Sequence, residues 1–161
     1  MSGKAKVIKD LQSALAMELT AVNQYLLHAL VCEDWGLNKL AATMRQEMQE
    51  ELGHVEAYAQ RIIFLKGDPD LSPAKPPHRA QALEDMFEAD LRDEQEAVKF
   101  YTQAARTADE AGDIGTRDIF ERTAMDEEGH MSWLEQQLAL LKRMGEPTFL
   151  AMQIGDINAQ N

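Results

Sequence analysis

Two short stretches decide how this chain reads: Met48-Gln49-Glu50-Glu51-Leu52-Gly53-His54-Val55 and Ala124-Met125-Asp126-Glu127-Glu128-Gly129-His130-Met131. Each contains Glu-x-x-His, which puts a carboxylate and an imidazole on one helix face about a turn apart. Each also lies in a run whose apolar residues return at alternating steps of three and four. The runs are Met44-Met48-Glu51-Val55-Tyr58-Ile62-Leu65 and Phe120-Ala124-Glu127-Met131-Leu134-Leu138-Leu141. Two further runs have the same form, Leu11-Leu15-Glu18-Val22-Tyr25 and Phe87-Leu91-Glu94-Val98-Tyr101. That spacing marks helices with one face turned to a core, and every inward stripe is broken by one glutamate. A lone glutamate of this kind belongs on the surface, since glutamate is almost never buried unpaired. Four in register require another explanation.

The register is checked by subtraction. Adding 76 takes Glu18 to Glu94, Tyr25 to Tyr101, Glu51 to Glu127, Gly53 to Gly129 and His54 to His130. The two halves therefore read as copies of one helical hairpin, and an approximate twofold axis between them brings all four glutamates to one level of a bundle. Gly36, Gly67, Gly112 and Gly145 punctuate the chain and are expected as left-handed residues ending helices over 5–35, 37–66, 82–111 and 115–144. The first and last connections are short enough for antiparallel hairpins. The middle one, Gly67 to His78, carries four of the five prolines and cannot be helical. The expected fold is all-α: a four-helix bundle with a long crossover connection. A short fifth helix over 147–154, opened by Pro147, has no evident neighbour in the bundle and is expected to pack elsewhere, between subunits.

Composition narrows the classes. A chain of 161 residues, 45% hydrophobic and 27% charged, suits one domain over 1–161. A net charge of -12 opposes adhesion to nucleic acid. A single cysteine, Cys32, excludes an intrachain disulfide and any cysteine-built metal module. No stretch of eighteen apolar residues occurs, and the N-terminus lacks the apolar core of a secretion signal, so a cytoplasmic protein without a membrane partner is expected.

Four carboxylates in an apolar interior would be forced to protonate or would cost many kcal/mol. Two divalent cations cancel four negative charges. A set of four carboxylates and two imidazoles is hard to borderline, which suits iron or manganese and admits zinc or cobalt. The candidate ligands are Glu18, Glu51, His54, Glu94, Glu127 and His130. Tyr25, Tyr58 and Trp133 are expected to flank them, hydrogen-bonding ligands or passing electrons. His28 and His78 match no ligand spacing and read as ordinary.

One Glu on helices one and three with Glu-x-x-His on helices two and four resembles the ferritin-like di-iron carboxylate proteins. Beyond the motif, Asn23-Gln24-Tyr25, Asp34-Trp35-Gly36-Leu37, Arg61-Ile62-Ile63-Phe64-Leu65-Lys66-Gly67 and Asp126-Glu127-Glu128-Gly129-His130 with Trp133-Leu134-Glu135 are similar to bacterioferritin over nearly the whole chain. The resemblance implies two iron ions per subunit and a hollow shell, a 24-mer, that oxidises Fe(II) with O2 or H2O2 and stores the ferric mineral. It implies that Glu18 and Glu94 are terminal ligands, that Glu51 and Glu127 bridge, and that His54 and His130 each complete one iron. Bacterioferritins usually hold haem between two subunits through a methionine directly after the second-helix bridging glutamate. Here that residue is Leu52, which has no lone pair to offer iron. Met48, one turn earlier, is a weak alternative that reads more simply as core. The expectation is a haem-free homo-oligomer or co-assembly with a haem-binding bacterioferritin subunit. In a hollow shell Gln46 and Glu50 would face inward as weak iron-capture candidates. The rival reading is a di-iron or di-manganese peroxidase or catalase that stores nothing.

Overall fold

The structure, a computed structural model, describes residues 2–155. Five helices follow in order: α1 (Gly3–Asp34), α2 (Asn38–Phe64), α3 (Leu83–Glu110), α4 (Ile114–Met144) and α5 (Glu146–Gln153). Ser2 caps α1 by accepting from Ala5 N, and Asp113 caps α4 by accepting from Thr116 N. Gly36, Gly112 and Gly145 have the positive φ expected of them. Gly67 does not. The left-handed residue after α2 is Lys66, at φ 65°. Gly67 is needed for closeness instead, because a Cβ there would stand 2.9 Å from Ile62 Cγ2 and 3.2 Å from Ile8 Cγ2.

The core is two apolar clusters with the glutamates between them. One contains Tyr25, Met44, Phe87 and Leu134. The other contains Leu15, Val55, Ala97 and Phe120. On each helix the glutamate falls between a residue of one cluster and a residue of the other, so all four share one level. The order of clusters along the chain also fixes direction. It reverses from α1 to α2 and from α3 to α4, yet it is the same in α2 and α3. The C-terminus of α2 and the N-terminus of α3 therefore lie at opposite ends of the bundle, and the connection between them must travel its length.

That crossover is fastened to α1 at regular intervals. Gln12 exchanges two hydrogen bonds with the backbone of Asp70, at 2.7 and 2.9 Å. Thr20 Oγ1 accepts from Ala74 N at 2.9 Å, and Gln24 exchanges two bonds with the backbone of His78 at 2.9 and 2.8 Å. Gln12, Thr20 and Gln24 are spaced at multiples of four, which keeps them along one side of α1. The loop's otherwise unsatisfied backbone groups find partners there.

The fifth helix corrects an expectation. Phe149 is only 2% exposed and packs edge-on against Phe87, with ring centroids 6.1 Å apart. Leu150 rests on the same cluster. The segment buries its main apolar residue within its own chain rather than needing a second subunit to do so.

Candidate metal centre

The four glutamates that interrupt the stripes converge. Glu18, Glu51, Glu94 and Glu127 are all between 1% and 6% exposed. His54 Nδ1 lies 3.4 Å from Glu18, 3.1 Å from Glu51 and 3.3 Å from Glu127. His130 Nδ1 lies 3.2 Å from Glu51, 3.6 Å from Glu94 and 2.9 Å from Glu127. The result is two quartets, Glu18-Glu51-His54-Glu127 and Glu51-Glu94-Glu127-His130, whose ligand atoms lie within 4.8 Å of one another. The quartets share Glu51 and Glu127.

Two tyrosines cross-brace the cage. Tyr25 on α1 donates from its hydroxyl to Glu94 Oε1 on α3 at 2.6 Å. Tyr101 on α3 donates back to Glu18 on α1. Tyr58 packs at a tilt against Tyr101 and Phe120. The role of Tyr101 was missed in the sequence, although adding 76 to Tyr25 pointed at it.

The outer imidazole nitrogens also have partners. His54 Nε2 sits 3.1 Å from Asp126 Oδ2, and His130 Nε2 sits 2.8 Å from Glu47 and 3.0 Å from Glu50. Adding 76 takes Glu50 to Asp126. These two acids precede Glu51 and Glu127 and reach across to the histidine of the opposite helix. Carboxylates on the far nitrogen are what orient a metal-binding histidine and set its tautomer.

Without cations the cage balances its own charge. Burial, reinforced by the Glu51 carboxylate, holds Glu18 well above the usual carboxylate range. Burial, with Glu127 and Glu51 close by, does the same to Glu94. Burial acts in the same sense on Glu51, but hydrogen bonds from Glu18, His130 and His54 outweigh it and hold the group low. Glu127 is likewise held low against burial by His130 and His54. Burial disfavours charge on the imidazoles, yet carboxylate contacts, Glu127 foremost, raise both His54 and His130 far above their usual value. Burial and mutual contacts thus favour the protonated form at Glu18, Glu94, His54 and His130 and the ionised form at Glu51 and Glu127.

The same donor set could hold a pair of cations. His130 Nδ1 stands 3.2 Å from Glu51 Oε1 and 2.9 Å from Glu127 Oε2, yet none of these three buried atoms makes an aligned hydrogen bond. Orphaned buried polar atoms are rare and call for a ligand. Cys32 is buried away from this set, its thiol pushed up to about 12 by burial with Asp90 and Glu33 nearby, and it offers no thiolate.

Comparison with known proteins agrees. The ferritin-like domain family matches residues 8–144. Bacterioferritin of Rhodobacter capsulatus is 41% identical over 159 residues, covering 99% of both chains. Bacterioferritin of Brucella melitensis is 40% identical over 159 residues, covering 99% of this chain and 96% of its own. The chain belongs to the bacterioferritin family. A 2.6 Å structure of the Rhodobacter bacterioferritin, described with a metal-free dinuclear site and haem iron in a crystallographic special position, superposes with a TM-score of 0.93 and covers 99% of each chain. A bacterial ferritin of Pseudomonas aeruginosa is 37% identical over 155 residues. These bacterioferritin homologues support iron storage with ferroxidase activity and do not favour the peroxidase or catalase alternative.

Against that family pattern, Leu52 is 45% exposed and has no donor atom, so the residue present does not fit axial ligation of haem. Met48 packs into the core cluster. Gln46 Nε2 contacts Glu50 Oε1 at 3.5 Å, while the other oxygen of Glu50 is committed to His130. Trp133 stands edge-on to Phe87 in the cluster shared with α5. His28 is not ordinary. It is 1% exposed, its Nδ1 meets Asp90 Oδ2 at 3.0 Å, and its Nε2 meets Gln24 at 2.8 Å. Nothing in the spacing of His28 and Asp90 announces that pair. The exposed His78 contributes only its backbone, to Gln24.

Proposed function

We propose that Glu18, Glu51, His54, Glu94, Glu127 and His130 bind two Fe(II) ions as substrate, and that the chain is a ferroxidase subunit whose ferric product is stored inside an oligomer. Glu18 with His54 serves one position, Glu94 with His130 serves the other, and Glu51 and Glu127 contribute to both. Iron held there supplies the electrons that reduce O2 or H2O2. The protein's part is positional and protonic. Tyr25 and Tyr101 hold Glu94 and Glu18 by hydrogen bonds, so each terminal carboxylate keeps one oxygen aimed inward. Asp126 accepts a hydrogen bond from His54 Nε2–H, and Glu50 with Glu47 accepts from His130 Nε2–H, which leaves each Nδ1 lone pair facing the cage.

The observation that carries this reading is the pair of buried quartets sharing Glu51 and Glu127. Anaerobic titration with Fe(II) tests it. Saturation at two ions per chain, lost in Glu51→Ala and His130→Ala, is expected. Saturation at none or one, or wild-type oxidation by Glu51→Ala, refutes the assignment.

The assembly we propose is a hollow 24-mer in the cytoplasm. Leu52 supports either a haem-free homo-oligomer or co-assembly with a haem-binding bacterioferritin subunit. Among the described residues no helix is long and apolar enough to cross a membrane. Particle mass and iron load measured on one preparation test storage: a dimer holding two metals per chain sinks it.

A further inference from the structure

A cavity of about 250 Å³ leads away from the carboxylates between α1 and α3. Glu18, Glu51, Glu94 and Glu127 line its inner part, while Ala74, Lys75 and Asp93 line its outer part. The crossover passes over this opening as a strap. Thr20 Oγ1, itself buried, accepts from Ala74 N at 2.9 Å and Lys75 N at 3.3 Å, which ties the strap to α1. Lys75 Nζ then reaches Asp93 Oδ1 on α3 at 2.9 Å, so the strap closes across the cavity from one helix to the other.

Lys75 is the one cationic side chain on the cavity wall among the described residues, and Asp90, Asp93 and Glu96 add negative charge along it. The Lys75 and Asp93 side chains remain 58% and 43% exposed. An ion pair so open to water contributes little to stability. It does change the potential at the entrance, and potentials at the mouths of clefts control the arrival of charged substrates.

We propose that Lys75 is the residue that sets how fast Fe(II) reaches the cage along this cavity. Its ammonium occupies Asp93, one of the carboxylates on the cavity wall, and holds a positive charge beside the cation's path. The inference rests on the ligand assignment above, and its test separates the two. Removing one positive charge about 8 Å from a divalent cation in water changes local cation concentration roughly fivefold.

Anaerobic stopped-flow mixing with Co(II), followed by its visible absorption, reads binding without turnover. At about 10 mM ionic strength Lys75→Ala should raise the association rate constant roughly fivefold, and Lys75→Glu should raise it further. The differences should collapse at about 1 M salt, where the screening length is about 3 Å. Lys142→Glu, which makes the same change in net charge outside the cavity wall, should leave the rate unchanged. A Lys75→Glu rate within error of wild type overturns the proposal, as does an equal acceleration by Lys142→Glu. Equilibrium uptake of two Co(II) per chain should persist in every variant. If wild type itself fails that stoichiometry, the ligand assignment fails and not the entry route alone.

Discussion

Cation binding should expel protons in a number that the cage geometry sets. In the metal-free protein burial among other carboxylates favours protonated Glu18 and Glu94. Carboxylate oxygens at 2.9–3.6 Å around their Nδ1 atoms favour a second proton on His54 and on His130. Contacts with the imidazoles favour ionised Glu51 and Glu127. In those favoured forms the six side chains sum to zero charge. With two divalent cations bound the sum is again zero, but only if all four carboxylates are ionised and both imidazoles are neutral. The difference is four protons per pair of cations, two for each, and metal ligands must lose protons to bind. The sign follows: acid competes with the cation, so affinity falls as pH falls. With two protons released per cation, it should change roughly a hundredfold per pH unit.

Calorimetric titration with Co(II) under argon, repeated in buffers of different ionisation enthalpy, counts those protons directly. Cobalt avoids the further proton release that accompanies iron oxidation. Glu94→Gln removes one titrating proton and should lower the count by about one. A total below about one proton per pair would refute the reasoning, since it would mean that the empty cage already holds ionised carboxylates against neutral imidazoles.

Further outcomes follow from particular contacts. Asp126→Asn keeps the size of the side chain but weakens its grip on His54 Nε2, and loss of such an orienting carboxylate lowers metal affinity about 10- to 100-fold; an unchanged Co(II) isotherm would remove Asp126 from the site. Phe120→Ala empties a fully buried position stacked on Tyr101 and packed against Tyr58 and should destabilise the fold by about 3–5 kcal/mol in denaturant melts. A loss under about 1 kcal/mol would mean that the ring is not held as described. Protein made from this chain alone should lack the intense haem band near the blue edge of the visible spectrum, and Leu52→Met should permit it. Such a band in the unaltered homo-oligomer would mean that another residue ligates the haem.

How much of this was legible in sequence depended on whether a feature is periodic. The four helices and the shared level of Glu18, Glu51, Glu94 and Glu127 follow from spacing, because helical period decides which face a residue occupies. The parallel course of α2 and α3 was implied by one long proline-bearing connection. The path of that connection was not. It depends on Gln12, Thr20 and Gln24, polar residues whose contacts are with backbone atoms 54 to 58 positions away. Phe149 was similarly opaque, since a short segment after Pro147 gives no sign of which cluster receives its ring. His28 and Asp90 sit 62 residues apart on different helices and match no motif, so only the packing of α1 against α3 joins them.

The internal repeat carried more information than the ligand motif that revealed it. Matching Glu51 to Glu127 and His54 to His130 identifies the inner cage. The same offset also relates Tyr25 to Tyr101 and Glu50 to Asp126, and the structure turns both pairs into reciprocal contacts: each tyrosine braces the other's terminal glutamate, and each acid supports the opposite histidine. A twofold arrangement demands this reciprocity, because a contact from the first half to the second must have an image from the second half to the first. Departures from the repeat then mark where the two positions differ. Tyr58 maps onto Leu134, so the clustered rings of Tyr58, Tyr101 and Phe120 lie on the Glu18 side alone. Glu47 maps onto Thr123, which bonds its own helix backbone rather than His54, so His130 has two acids on its outer nitrogen where His54 has one. The two quartets are thus chemically unequal despite identical residue types. Stepwise occupancy in the cobalt titration, with the Glu94–His130 position responding to Glu47→Gln and the Glu18–His54 position indifferent to it, is the consequence; equal responses would mean that the extra acid is idle.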